Sequence, residues 1–125
     1  TYLGTNESGA IDNTDVREKV IDMNMNRLAF RLTAQRANEE NKSGTPGAST
    51  SIFKLFGAAL QQDGAELKRE IMGFKGLGAT DGEGFSTEEL TATEEWLHTK
   101  ATTIYGGSNE IQANIISKRV LGLPD

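Results

Sequence analysis

The chain has 125 residues and a mass of 13.5 kDa, which bounds it to one domain. Its apolar fraction of 36% and mean hydropathy of −0.46 are low for a self-sufficient globule and too high for plain disorder. A net charge of −5 argues against nucleic acid or an anionic membrane as main partner, and the absence of cysteine excludes disulfides and thiolate metal sites.

No apolar run approaches the roughly 18 residues of a membrane span. The sequence opens on Thr1, with neither an initiator Met nor a signal pattern, a start that suits a piece of a longer chain or a processed protein. A reducing, cytoplasmic setting is compatible with the lack of cysteine. Residues 1–14 are polar, carry Gly4 and Gly9, and read as a connector. Asn13 to Asp15 offers helix-capping residues, and Asp15 with Glu18 has capping-box spacing. The spacing that follows predicts a long helix to about Asn41. Ile21, Met25, Leu28 and Leu32 form one apolar stripe, and Val16, Val20, Met23 and Phe30 widen it enough to face two neighbours.

The cluster Lys42-Ser-Gly-Thr-Pro-Gly47 predicts a turn. Beyond it Ile52, Leu55, Phe56, Ala59, Leu60, Leu67 and Ile71 keep helical spacing up to Gly73. Five of the twelve residues from Gly73 to Gly84 are glycine, which a helix does not survive, since each interior glycine costs about 1 kcal/mol relative to alanine. Ser86 with Glu89 has capping-box spacing, and Leu90, Leu97, Ala101 and Ile104 give the next helix its expected buried stripe. Gly106-Gly107 interrupts again, and a short helix runs from about Ser108 to Val120 before Gly122 and Pro124. The expected fold is all-α: an up-and-down bundle of three long helices and one short one over residues 15–125. Three broad apolar faces leave a four-helix core incomplete, so another segment or subunit is expected to supply a wall; a freestanding three-helix bundle is the alternative.

Most chemistry-bearing constellations are missing. His98 stands alone in a helix, without a second histidine or a cysteine at metal spacing, and reads as a surface or packing residue; no metal site is expected. Gly76-Leu-Gly78-Ala-Thr-Asp-Gly82 resembles a dinucleotide fingerprint only superficially, because a helix rather than a strand precedes it. Glu88, Glu89, Glu94 and Glu95 read as a solvated face, with two of them favouring the positive end of the helix dipole. The informative stretch runs from Thr102 to Pro124. There a helix ends, two glycines permit a tight reversal, and the next helix starts at Ser108 with its free N–H groups toward the turn. Such a corner suits a carbonyl, a phosphate or a ribose hydroxyl, or is simply a capped helix-turn-helix.

Ile104-Tyr-Gly-Gly-Ser-Asn-Glu-Ile-Gln112, with Asn114-Ile-Ile and Arg119-Val-Leu-Gly-Leu-Pro124, resembles the closing signature of the acyl-CoA dehydrogenase family. Ser51-Ile-Phe-Lys-Leu-Phe56 resembles the family's Ser-x-x-Lys segment, and the start at Asp15-Val-Arg-Glu-Lys19 its second bundle helix, so the likeness covers nearly all of the chain after Asn13. The resemblance implies an FAD-dependent enzyme that desaturates acyl-CoA thioesters at the α,β bond. An N-terminal helical domain, a middle β domain and the first bundle helix then lie outside this segment. It further implies FAD contacts at Ser108, Asn109, Glu110 and Ile111, and a substrate corner at Tyr105, Gly106 and Gly107. Glu70 and Gly73, in Glu70-Ile-Met-Gly-Phe74, fall where the family's Gln-x-x-Gly-Gly segment reaches the FAD of an adjacent subunit, in a homotetramer or mixed oligomer. Four departures stand out: Glu70 replaces a Gln that approaches the cofactor, Phe74 replaces that segment's second Gly, Ala113 stands where Arg is usual, and Gly106 stands where many members carry the catalytic Glu. No catalytic residue is therefore expected in this chain. Two alternatives keep the fold, a non-catalytic subunit that completes a partner's flavin site and a related flavin oxidase.

Overall fold

The computed structural model describes residues 2–42, 49–79 and 84–124. Its helices are α1 (Thr14–Asn41), α2 (Ser49–Met72), α3 (Thr87–Thr99) and α4 (Asn109–Ile115). Short 3₁₀ turns follow α2 at Gly73–Leu77 and α3 at Lys100–Thr103, and a π-turn at Ile116–Val120 extends α4. Most of the turn predicted at Lys42 to Gly47 and the centre of the glycine-rich loop, residues 80–83, lie outside the described residues. Among the described residues the only β pairing is a single bridge between Thr5 and Ile11, so the fold is all-α.

Each boundary has a local cause. The Asn13 side chain accepts the Val16 N–H at 3.1 Å and so caps α1, whereas the expected Asp15–Glu18 box does not form; Asp15 instead pairs with Lys19 at 3.1 Å. Asn13 wins because its side chain stands just before the first helical residue, where the orphan N–H groups lie. Helix α2 stops at Met72, where Gly73 turns to φ +56°. The Ser86–Glu89 capping box at the start of α3 forms as the spacing predicts, with Glu89 Oε2 accepting the Ser86 N–H at 2.7 Å.

Helix α2 is central, packed on α1 along one side and on α3 along another. Both pairs are antiparallel. Lys19 near the start of α1 meets Glu70 near the end of α2 at 2.7 Å, while Phe30 meets Phe53 edge-to-face at 5.7 Å. Lys68 late in α2 meets Glu95 of α3 at 3.2 Å, and Gln62 donates to the Thr99 carbonyl at 2.9 Å. Phe30 also stacks on Phe56, and Gly57 leaves room for its ring, since a Cβ there would lie 3.2 Å away. Trp96 on α3 donates to Glu66 and carries the Arg69 guanidinium 3.7 Å over its ring.

Residues 2–13, expected as a plain connector, fold back on themselves. Asn6 Oδ1 accepts from Ser8 N, Ser8 Oγ and Ala10 N, and Tyr2 Oη donates to Glu89 at 3.1 Å, tying this segment to α3.

Part of each expected apolar stripe faces outward. Val16 is buried and Val20, Met23 and Phe30 are half-buried, but Ile21, Met25, Leu28 and Leu32 are 47–63% exposed. At 3.6 residues per turn the two sets lie on opposite sides of α1, so α2 covers only the first. On α3, Leu97 and Ile104 beyond it are exposed, and the buried positions are Glu89, Ala92 and Thr93. That corrects the expected stripe at Leu97 and Ile104, whereas Leu90 and Ala101 are half-buried. It also removes Glu89 from the solvated acidic face, which keeps Glu88, Glu94 and Glu95. An α3 that turns Trp96 toward α2 but leaves Leu97 uncovered fits a bundle whose other wall lies outside this segment.

The backbone N–H of Ser86 holds the Glu89 carboxyl below the ordinary glutamate range, with further help from Tyr2, Lys75 and the Ser86 hydroxyl. A depressed folded-state value contributes stability that is complete above the unfolded value, about pH 4.3, and is lost as pH falls through the folded one. Glu89→Gln should flatten this acid limb in unfolding measured between pH 6 and pH 3. An unchanged slope would show that other carboxylates account for it.

Candidate functional site

Chain direction reverses between the 3₁₀ turn at Lys100–Thr103 and α4. Gly106 and Gly107 take φ +69° and +100°, a pair of left-handed residues that other side chains rarely tolerate. At Gly107 an added Cβ would lie 2.7 Å from Gln112 Nε2, whereas at Gly106 the nearest atom is Lys54 Cε at 3.9 Å. The reversal predicted from the two glycines is therefore present, and Gly107 is the tighter of the two.

Long-range hydrogen bonds set its shape. Lys54, projecting from α2, donates to the Thr102 carbonyl at 2.9 Å and to the Gly107 carbonyl at 2.7 Å. Buried Gln112, on α4, donates to the Gly106 carbonyl at 3.0 Å. Gln62 secures the preceding 3₁₀ turn through the Thr99 carbonyl and the Thr103 hydroxyl. Sequence reading missed Lys54 and Gln112 as organisers of the turn. A signal existed for Lys54: it lies three residues after Ser51 and four before Ala58, both buried, and so shares their inward face of α2.

Around this turn the residues expected at the cofactor and substrate are brought together. Tyr105 is 56% and Ile111 52% exposed. Ser108 does not cap α4 with its side chain; its hydroxyl donates to Glu110 at 2.6 Å. That bond, and then Glu110's own backbone N–H, hold the Glu110 carboxyl below the ordinary range. Asn109 Oδ1 is buried without a hydrogen-bond partner. Beside the turn a cleft of about 430 Å³ opens between α1 and α2, with Phe30, Phe53 and Leu60 in its wall and Arg27 and Tyr105 at its polar side.

Glu70 and Gly73 do not join this group. Glu70 is about 24 Å along α2 from Lys54 at 1.5 Å per residue, and its carboxylate is engaged by Lys19. This partner in turn holds the Lys19 ammonium above its ordinary range, with Asp15 adding to it. His98 is exposed and lines a groove with Arg27, Lys68 and Glu95. Among the described residues no three His, Cys, Asp or Glu side chains cluster as metal ligands would, and no helix is long and apolar enough to cross a membrane.

The helical bundle thus ends in a doubly clamped glycine turn, with a buried acceptor that lacks a partner two residues past Gly107. Comparison with known proteins identifies the family. The profile of the family described as acyl-CoA dehydrogenase, C-terminal domain, matches residues 4–121. Acyl-CoA dehydrogenase IpdE1 of Mycobacterium tuberculosis is 37% identical over 117 residues, covering 94% of this chain and 29% of that protein. Its namesake in Mycolicibacterium smegmatis is 35% identical over 117 residues, 94% of this chain and 28% of that protein. The crystal structure of the ChsE4–ChsE5 complex from Mycobacterium tuberculosis superposes with a TM-score of 0.78 at 22% identity, over 98% of this chain and 32% of the matched one, a likeness of fold. The chain belongs to the acyl-CoA dehydrogenase family and corresponds to its C-terminal domain. It spans less than a third of the length of the two IpdE1 relatives.

Proposed function

We propose that this chain is the C-terminal bundle segment of an FAD-dependent acyl-CoA dehydrogenase, and that the turn from Tyr105 to Ser108 forms its corner toward flavin and thioester. The observation that carries the reading is the clamped Gly106-Gly107 turn, set within a chain whose residues 4–121 match the family's C-terminal domain. FAD suits that turn: its phosphate, ribose and ring carbonyl oxygens are acceptors for the turn's backbone N–H groups. Ser108, Asn109, Glu110 and Ile111 would hold the cofactor, and Tyr105, Gly106 and Gly107 would border the substrate.

When bound, FAD supplies the hydride acceptor for α,β-desaturation of the acyl-CoA. The contribution of this chain is binding and polarisation. Backbone N–H groups of the turn can donate to a thioester carbonyl and so acidify the adjacent α-proton. Gly106 has no group to take that proton, so the base comes from outside the segment. The exposed stripe of α1 supports assembly with the rest of the protein or with neighbouring subunits. Gly106 also favours a second reading, a non-catalytic subunit that completes a partner's flavin site in a mixed oligomer.

The complete protein carrying this segment should purify with bound flavin and desaturate an acyl-CoA in the presence of an artificial electron acceptor. The isolated 125-residue chain should show no flavin absorbance. A flavin-bound complete protein without activity selects the non-catalytic subunit. A flavin-free complete protein, or a yellow isolated segment, sinks the proposal.

A further inference from the structure

Lys54 spans 48 residues to the Thr102 carbonyl and 53 to the Gly107 carbonyl, joining the middle of the bundle to the turn with one side chain. Gln112 takes the neighbouring Gly106 carbonyl. In a trans peptide the C=O and the following N–H point in opposite directions, and no peptide bond here is cis. Drawing the Gly106 and Gly107 carbonyls toward Gln112 and Lys54 therefore turns the N–H groups of Gly107 and Ser108 the other way. Among the described residues no protein acceptor takes either N–H.

We propose that Lys54 is a positioning residue that orients and polarises the Gly107–Ser108 peptide, so that its N–H is a strengthened donor on the flavin and thioester side of the turn. The inference rests on the cofactor reading given above. A cationic donor on the carbonyl draws electron density from the peptide and makes the N–H at its far side more acidic, as in any hydrogen-bonded chain. Two left-handed glycines have little conformational preference of their own, so without this contact the peptide is free to rotate. No other side chain donates to the Gly107 carbonyl among the described residues.

The test uses the complete protein with Lys54→Met, which keeps the stem and removes the charge and the donors, and Lys54→Arg, which keeps both. In the flavin-free form, amide exchange over residues 104–112 should quicken roughly tenfold or more in Lys54→Met, the weight of one hydrogen bond to a charged donor. In the loaded form the flavin dissociation constant should rise by a similar factor and the visible flavin band should shift, with Lys54→Arg lying between Lys54→Met and wild type. Unchanged exchange and flavin affinity in Lys54→Met overturn the proposal. Lys54→Arg as impaired as Lys54→Met also overturns it, because the role would then be packing. If Lys54→Met does not assemble, Lys54→Leu, which likewise carries neither charge nor donor, is read in the same way. A wild-type protein that takes up no flavin overturns the cofactor reading and this inference together. A wild type that binds flavin beside an identical variant overturns the inference alone.

Discussion

Gly107→Ala should lower stability by about 2–6 kcal/mol. Two costs combine. A side chain at φ +100° carries backbone strain of roughly 1–3 kcal/mol. The new Cβ also lies 2.7 Å from Gln112 Nε2, which must withdraw and release the Gly106 carbonyl, at about 1–3 kcal/mol for a buried group left without its partner. Gly106→Ala is the internal control. Its φ of +69° carries only the left-handed penalty of roughly 1–2 kcal/mol, and nothing lies closer than 3.9 Å. Denaturant unfolding of the two variants side by side decides the matter: equal losses would mean that Gln112 does not fix the turn.

Met25→Lys with Leu28→Lys should leave the fold of the 125-residue chain intact and weaken its self-association at least tenfold, a shift of about 1.4 kcal/mol. Both residues belong to the exposed stripe of α1, Met25 at 63% and Leu28 at 47%. Completing the burial of four such side chains is worth roughly 3–6 kcal/mol, half the value for burial from full exposure. The freedom lost on association offsets much of this, at about 4–15 kcal/mol, so the contact is expected to depend on concentration. Sedimentation over a range of concentrations measures the change. Thermal unfolding should move by no more than about 0.5 kcal/mol, since the stripe faces away from α2. An oligomer that persists in the double variant would place the association elsewhere on the surface.

Legibility in the sequence followed the range of the interaction. The Ser86–Glu89 box, the stop of α2 at Gly73, the reversal at Gly106-Gly107 and the all-α class were readable because each depends on residues within a few positions. The long tail motif, read as a resemblance, pointed to the family that the comparison identifies. Capping of α1 was legible in part: Asn13, one of the capping residues the sequence offers there, forms the cap, and the Asp15–Glu18 box does not, because Asn13 stands just ahead of the first helical residue.

What the sequence determined by itself was therefore the set of helices, their ends and the identity of the motif, because hydrophobic period, caps and glycine conformation act locally. Tertiary structure alone decided which of the two opposed stripes of α1 is covered, since period gives an apolar face but not its neighbour. It decided that α3 turns Glu89, Ala92 and Thr93 inward and leaves Leu97 outside. It gathered Tyr105 to Ile111 at one end of α2 and left Glu70 and Gly73 near the other. It also gave Lys54 its two carbonyls. Those contacts close loops of 48 and 53 residues, a separation over which no local preference acts and only the packing of α2 against α3 brings the groups within reach.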